Sequence, residues 1–281
     1  MRRSTKIWLI VAASLILIGV VAFGGVMMSL KWNFTALTTV KYETNTYEID
    51  ESFSDIKVVC DTADIDFVPC EEEGVRVVCY ERSSSKYSVK VKDGALEIKV
   101  ENSGKWYEYI GINFSSPKIT VYLPAKQYGS IEIKASTTDV SLGSVSEDSV
   151  SVSVRTGDVK ISNASISEKL AITVTTGDAN VENTTCKSLV SKGNTGDILL
   201  DRVRAEDRIE ITRSTGDVTF KESDADSIFV ATGTGEVKGS LLTGKTFTVK
   251  TSTGDVNVPK NSEGGTCNIT TSTGDVKITV K

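Results

Sequence analysis

The chain has 281 residues, a formal net charge of −5 and no histidine. The missing imidazole excludes Ser-His-Asp and Cys-His catalysis, imidazole zinc sites and histidine pH switches. Arg2, Arg3, Lys6 and Lys31 are the only charged residues among the first 31, so a formal −9 remains on the rest, which argues against nucleic acid and against charge-driven docking on anionic lipid or wall polymers.

In chain order, residues 1–6 form a short basic tail, and Ile7–Leu30 holds 24 residues without a charge. At 1.5 Å per residue that run covers an ~30 Å hydrocarbon layer. Positive charge concentrated before the run predicts a single-pass transmembrane helix with its N-terminus in the cytoplasm and the rest of the chain outside it. A cleaved signal peptide is the competing reading, since Ala22-Phe23-Gly24 resembles a small-x-small cleavage site. The apolar run continues past that site, which favours an uncleaved anchor in the cell membrane. No cysteine follows it closely, so a lipoprotein anchor is excluded. Residues 31–52 read as a juxtamembrane linker.

Residues 53–130 read as an N-terminal cap. Ile56, Val58, Ile65 and Phe67 alternate on either side of Ala63-Asp64, as two short strands around a corner. Further alternating runs stand at Val75–Tyr80, Tyr87–Lys92, Leu96–Val100 and Lys118–Leu123, with a hairpin signal at Asp93-Gly94. These predict an antiparallel excursion that covers the N-terminal end of the C-terminal half of the chain. Trp106, Tyr107 and Tyr109 lie in its most irregular stretch, as candidate contact aromatics or as a cover for the cap's own core.

Residues 131–281 are a repeat. The hexapeptide TSTGDV stands at 251–256 and again at 271–276, and weaker copies place glycines at Gly157, Gly177, Gly196, Gly216, Gly235, Gly254 and Gly274, in steps of 20, 19, 20, 19, 19 and 20. Thr138 takes the glycine place 19 residues before Gly157. Apolar residues recur seven and five before the glycine, as at Leu170/Ile172 and Ile209/Ile211, and two and four after it, as at Val159/Ile161 and Val218/Phe220. The lapses are Ser191 and Gly239; weaker apolar places recur at Val145, Ala164, Val203 and Leu242. Two short half-buried strands per repeat cannot bury a core alone, but stacked copies turn each column into a continuous ladder. The prediction is an all-β chain with a single parallel β-solenoid of about eight coils, each of 19–20 residues. The five cysteines form no CxxC pair and read as small core residues, although a bridge among Cys60, Cys70 and Cys79 is geometrically conceivable.

The N-terminal span, the opening at Phe53–Val58, the I-T-V-Y-L-P segment at Ile119–Pro124 and the TGDV corners together resemble the bacterial putative-adhesin family of TGD-type β-strand repeats. The resemblance covers roughly residues 42–281. It implies a bacterial envelope protein with a β-helical ectodomain, of a family without assigned catalytic residues, some of whose members are associated with envelope-stress systems. Thr138 and Ala63 for glycine, and Glu236 for aspartate, depart from the pattern at single corners.

The corner acids Asp139, Asp158, Asp178, Asp197, Asp217, Glu236, Asp255 and Asp275 should stack in one column. The favoured reading is structural, each aspartate accepting backbone amides freed at the bend. A cation ladder at Asp158, Asp178, Asp197, Asp217, Asp255 and Asp275 competes, but one acid per coil is few for calcium. A glycosidase-like carboxyl pair lacks a cleft to divide the roles. A threonine ladder for ice or crystals, from Thr232-x-Thr234, Thr251-x-Thr253 and Thr271-x-Thr273, has no matching pairs upstream. No cofactor or catalytic residue is expected. The chain therefore reads as a non-catalytic, adhesin-like surface or envelope module, with the membrane as one partner through 7–30 and cell-wall glycan or envelope proteins as others. The alternatives are an accessory or sensor protein working through membrane partners and a polysaccharide-active β-helix enzyme, for which the charged cluster Asp201, Arg202, Arg204, Glu206, Asp207 and Arg208 is the only dense acid–base grouping.

Overall fold

The computed structural model describes residues 3–37, 40–72, 74–101, 115–260 and 264–281. The chain divides into two units, one of residues 1–41 with 104–116, the other of 42–103 with 117–281. In the first unit Arg3–Ser29 is one helix, long and apolar enough to cross a membrane by length and composition, a test that a signal sequence also passes. Trp8 and Leu15 are among the large apolar side chains it leaves exposed.

The second unit is a β-solenoid built from two sheets, of 12 and 11 strands. The Gly177 coil shows the plan. A long strand, Ser165–Thr176, runs into the corner, and a short strand, Ala179–Glu182, leaves it for the other sheet. The chain then turns at Asn183 in the left-handed region, as it does at Ser144, Asn163, Arg202 and Glu222 in equivalent places. Successive coils pair in parallel, with Val152 opposite Ile172 and Val159 opposite Ala179. Alternation then sends Leu170, Ile172, Ile209 and Ile211 inward, each no more than 1% exposed. The long strands shift register near their starts, between Glu147/Ser149 and between Ile166/Lys169, and so bend to make a third side. Val145, Ala164 and Val203 are buried there. So is an unforeseen inward column: Tyr128, Glu147, Ile166, Cys186, Ala205 and Ala225. The first coil lies where the spacing put it. Asp55–Cys60 and Asp64–Cys70 flank a buried Ala63 and pair with the Thr138 coil.

Three features differ from expectation. The stretch 31–52, expected as a linker, contains the strand Tyr42–Ile49, which pairs antiparallel with Val75–Arg82. Its polar letters hid it, because only one face of an edge strand needs a core. The excursion is also mixed rather than antiparallel throughout, since Ala95–Val100 and Lys118–Pro124 run parallel to the first coil and add a layer beneath it. The largest difference is at the far end. Gly265–Thr273, of the Gly274 coil, pairs on one side with Ser227–Thr234 and on the other with Lys245–Thr253. The last coil in sequence is therefore next to last in the stack, and the Gly254 coil is outermost. Pro259, without an amide to donate, follows closely on a short strand at Val256–Asn257. A coil cut short in this way suits an end better than an interior.

Candidate functional site at the repeated corner

The seven corner glycines have φ between 127° and 154°. At Gly177 a Cβ would lie 2.1 Å from the carbonyl oxygen of Gly157, so a side chain would wedge the coils apart. The corner is a place of close backbone approach, and Gly157, Gly196, Gly216, Gly235, Gly254 and Gly274 repeat that contact.

The aspartate column bonds along the stack. Oδ1 of Asp139, Asp158, Asp178 and Asp197 accepts the backbone N–H of the next coil's aspartate (Asp158, Asp178, Asp197 and Asp217) at 2.8 Å. Asp217 accepts from Glu236 at 2.8 Å, and Asp64 of the first coil from Asp139 at 3.2 Å. The ladder resumes where Asp275 accepts the amide of Asp255 at 2.9 Å, which again sets the Gly274 coil inside the Gly254 coil. The Asp275 carboxyl is held below its ordinary range by the Lys277 ammonium at 2.7 Å and by that amide. Six of the eight column acids thus hold the backbone of the next coil, while the Glu236 carboxylate pairs with Lys238 instead. Among the described residues no group of three or more His, Cys, Asp or Glu is placed to hold a metal ion.

The threonine pairs do not form a two-column outward face: Thr234, Thr253 and Thr273 are exposed, but their partners two residues earlier turn toward the corner. Thr232 and Thr271 are buried, and the hydroxyls of Thr232, Thr251 and Thr271 donate to the corner carbonyls of Gly216, Gly274 and Gly235. Trp106, Tyr107 and Tyr109 lie outside the described residues. In the charged cluster Arg202 occupies the left-handed turn, paired to Asp201 and donating from Nε to Asn183 at 2.6 Å. All five cysteines are free, and burial pushes the thiols of Cys79, Cys186 and Cys267 up to about 12.

Polar groups also point inward where alternation alone predicts apolar ones. Arg213, 3% exposed, stands in the column of Val154 and Val174 and donates from Nη2 to Ser191 at 2.9 Å and from Nη1 to the Thr212 carbonyl at 3.2 Å. A Cβ on Gly193 would meet that guanidinium at 2.7 Å. The lapse at Ser191 and the glycine at 193 are therefore one accommodation of Arg213 by the neighbouring coil. Lys245, 2% exposed, pairs with Asp224 at 2.7 Å. The signal for Arg213 lay in two defects in a single coil facing one charged residue.

No curated protein is detectably similar in sequence to the chain. A solved putative adhesin from Bacteroides fragilis is 21% identical, covering 85% of this chain and 97% of its own, with a TM-score of 0.58, which establishes likeness of fold. Another from Parabacteroides distasonis is 14% identical over 86% of this chain and 98% of its own, with a TM-score of 0.45. The model of the family described as Toastrack DUF4097 matches residues 53–207 and 167–281, which span the whole solenoid, and the chain belongs to that family.

Proposed function

We propose that the chain is a non-catalytic interaction module of the bacterial cell envelope. In this reading Ile7–Leu30 stays uncleaved in the membrane with the N-terminus in the cytoplasm, and the solenoid outside binds cell-wall glycan or an envelope protein. The observation that carries it is the outer face of the 11-stranded sheet. Register aligns Ser149, Lys169, Ser188, Arg208 and Ser227 in one outward row, and Ser151, Ala171, Val190, Glu210 and Phe229 in the next. Phe229 is 43% exposed on that face. Rows of hydroxyls and charges at ~4.8 Å spacing, with an aromatic among them, suit an extended polar polymer better than a small molecule. The description of the Bacteroides fragilis relative as an adhesin is in keeping with this. A non-catalytic role fits the corner acids, whose carboxylates hold the coil-to-coil backbone.

The test is co-sedimentation of the full chain, in lipid nanodiscs, with purified cell walls, with and without millimolar calcium. Saturable binding that is weakened by Phe229→Ser and unaffected by chelation is the expected result. Absence of binding would sink the reading in favour of an accessory protein working through membrane partners. Loss on chelation would contradict the capping role of the aspartates.

A further inference from the structure

The third side of the solenoid has a gap at its N-terminal end. Regular coils cover one another there, but the first coil leaves the stack after Cys70 to build the cap, and the chain returns through Pro124–Gln127. Below the side that begins at Val145 the paired backbone starts only at Tyr128, opposite Glu147. A cleft of about 310 Å³ remains, with Phe67, Pro69, Leu123 and Pro124 among its walls and Tyr128 and Glu147 among its lining.

Glu147 is out of place by every packing criterion. It is 1% exposed, and the coils above fill its column with Ile166, Cys186 and Ala205. Among the described residues neither carboxyl oxygen has a hydrogen-bond partner, and the hydroxyl of Tyr128, its neighbour in register and 4% exposed, has none either. A buried carboxyl without a partner is destabilising, whereas an isoleucine would serve this coil as it serves the next. What these atoms lack is a donor. Their oxygens offer several acceptor sites in an apolar cleft, beside an aromatic ring that already attracts an ammonium: Lys126 Nζ lies 4.9 Å from the Tyr128 ring centroid. A divalent metal would want many more oxygens than one carboxylate and one phenol provide.

We propose that this cleft binds a primary ammonium group carried on a compact apolar body, with Glu147 and the Tyr128 hydroxyl accepting its N–H donors and the proline, leucine and phenylalanine walls covering the body. A bound cation would restore the charge that burial opposes. Burial, and then the nearby carboxylates of Asp148 and Asp55, push the Glu147 carboxyl up to about 8. Lys126 also lines the cleft, where its charge opposes entry of a second cation. The proposal stands apart from wall binding, which uses the outer sheet face.

The test is calorimetric titration of the full chain in nanodiscs with n-butylammonium and, separately, N-acetyl-lysine amide. The pair distinguishes a free alkylamine from a lysine side chain as the source. Tetramethylammonium, which has charge but no N–H, and 1-butanol, which has an apolar body but no charge, are the controls. One-site saturable binding of at least one amine is expected, with neither control competing. Glu147→Gln should weaken it about tenfold or more, the worth of a hydrogen bond to a charged group. Because glutamine is similar in size, an unchanged circular dichroism spectrum would show that the coil survives. Lys126→Gln should strengthen binding several-fold. Failure of both amines on wild type and on Lys126→Gln would overturn the proposal, as would undiminished binding by Glu147→Gln or equal competition from tetramethylammonium.

Discussion

The two ends of the solenoid are finished differently. At the N-terminal end the chain leaves the repeat to cover it. Tyr42–Ile49 and Tyr87–Lys92 form the outer strands of the two sheets, and the Tyr47 hydroxyl donates across to the Tyr87 carbonyl at 3.1 Å. Glu81, fully buried, accepts the Tyr87 amide and, at 2.6 Å, the Asn45 side chain, so the closing layer is tied together by polar contacts. At the C-terminal end a repeat is simply left outermost. Val256 is 48% exposed, Phe247, Val249 and Val258 are only partly buried, and among the described residues no strand lies beyond them. The difference teaches that a repeat cannot cap itself. Its inward columns are made for two neighbours, and only a change of topology removes one of them without exposing apolar surface. Covering the N-terminal end also opened the gap that holds Glu147.

The comparison is tested hardest by the corner glycines. Gly177→Ala places a Cβ 2.1 Å from a carbonyl locked between two coils and should cost about 3 kcal/mol, read as a lowered Tm by circular dichroism. Gly254→Ala makes a similar contact, 2.2 Å from the Gly274 oxygen, but the outermost coil is free to shift away. It should cost less than half as much. Equal losses would mean that the outer coil is held as firmly as the inner ones.

The next effect belongs to the gap. An acid whose folded pKa is raised binds more protons folded than unfolded, so its contribution is fully present below the unfolded value of about 4.5 and is lost as pH rises through the folded value of about 8. Between pH 5 and pH 8 the wild type should lose roughly 3 kcal/mol relative to Glu147→Gln, whose stability curve is flatter across that window. Parallel curves in denaturant titrations would show that Glu147 is ionised and satisfied in the native state.

The smallest effect separates two aspartates that both follow a Thr-Gly corner. Asp178 accepts the Asp197 amide, so Asp178→Ala should cost about 1 kcal/mol, as loss of a side-chain cap does elsewhere. Asp255 lies at the end of the stack, with no coil beyond it among the described residues to donate to it, and Asp255→Ala should fall within about 0.5 kcal/mol of wild type by the same measurement.

Much of this architecture is legible in the sequence because stacking repeats each constraint once per coil. Glycine at the bend, aspartate after it and the apolar pairs on either side all mark a common register. What was hidden has physical reasons. Arg213 and Glu147 are polar letters at inward places, and alternation reads a polar letter as outward unless the opposite coil betrays it, as Ser191 and Gly193 do for Arg213. The strand Tyr42–Ile49 buries only part of one face, so its pattern is weak. The order of the last two coils was illegible for another reason. TSTGDV at 251–256 and at 271–276 presents identical corners to the Gly235 coil, so local complementarity does not choose between them. The choice falls to Pro259, which shortens one coil, and to Gly264-Gly265, where a Cβ at 265 would meet the Asp226 carbonyl at 1.9 Å as the chain threads back inside.

That reversed order is the most direct claim to put to measurement. Phe229 lies opposite Asn268, and Thr248 lies opposite Asn268 from the other side. In a Cys70→Ser background, which leaves only the four buried native thiols, cysteines introduced at 229 and 268 should form a disulfide under mild oxidation. So should cysteines at 248 and 268. The pair at 229 and 248 should not, since two strand spacings of ~4.8 Å exceed the ~7 Å reach of a disulfide. A bridge between 229 and 248, with none between 229 and 268, would show that the coils stack in chain order and would contradict this account of the C-terminal end.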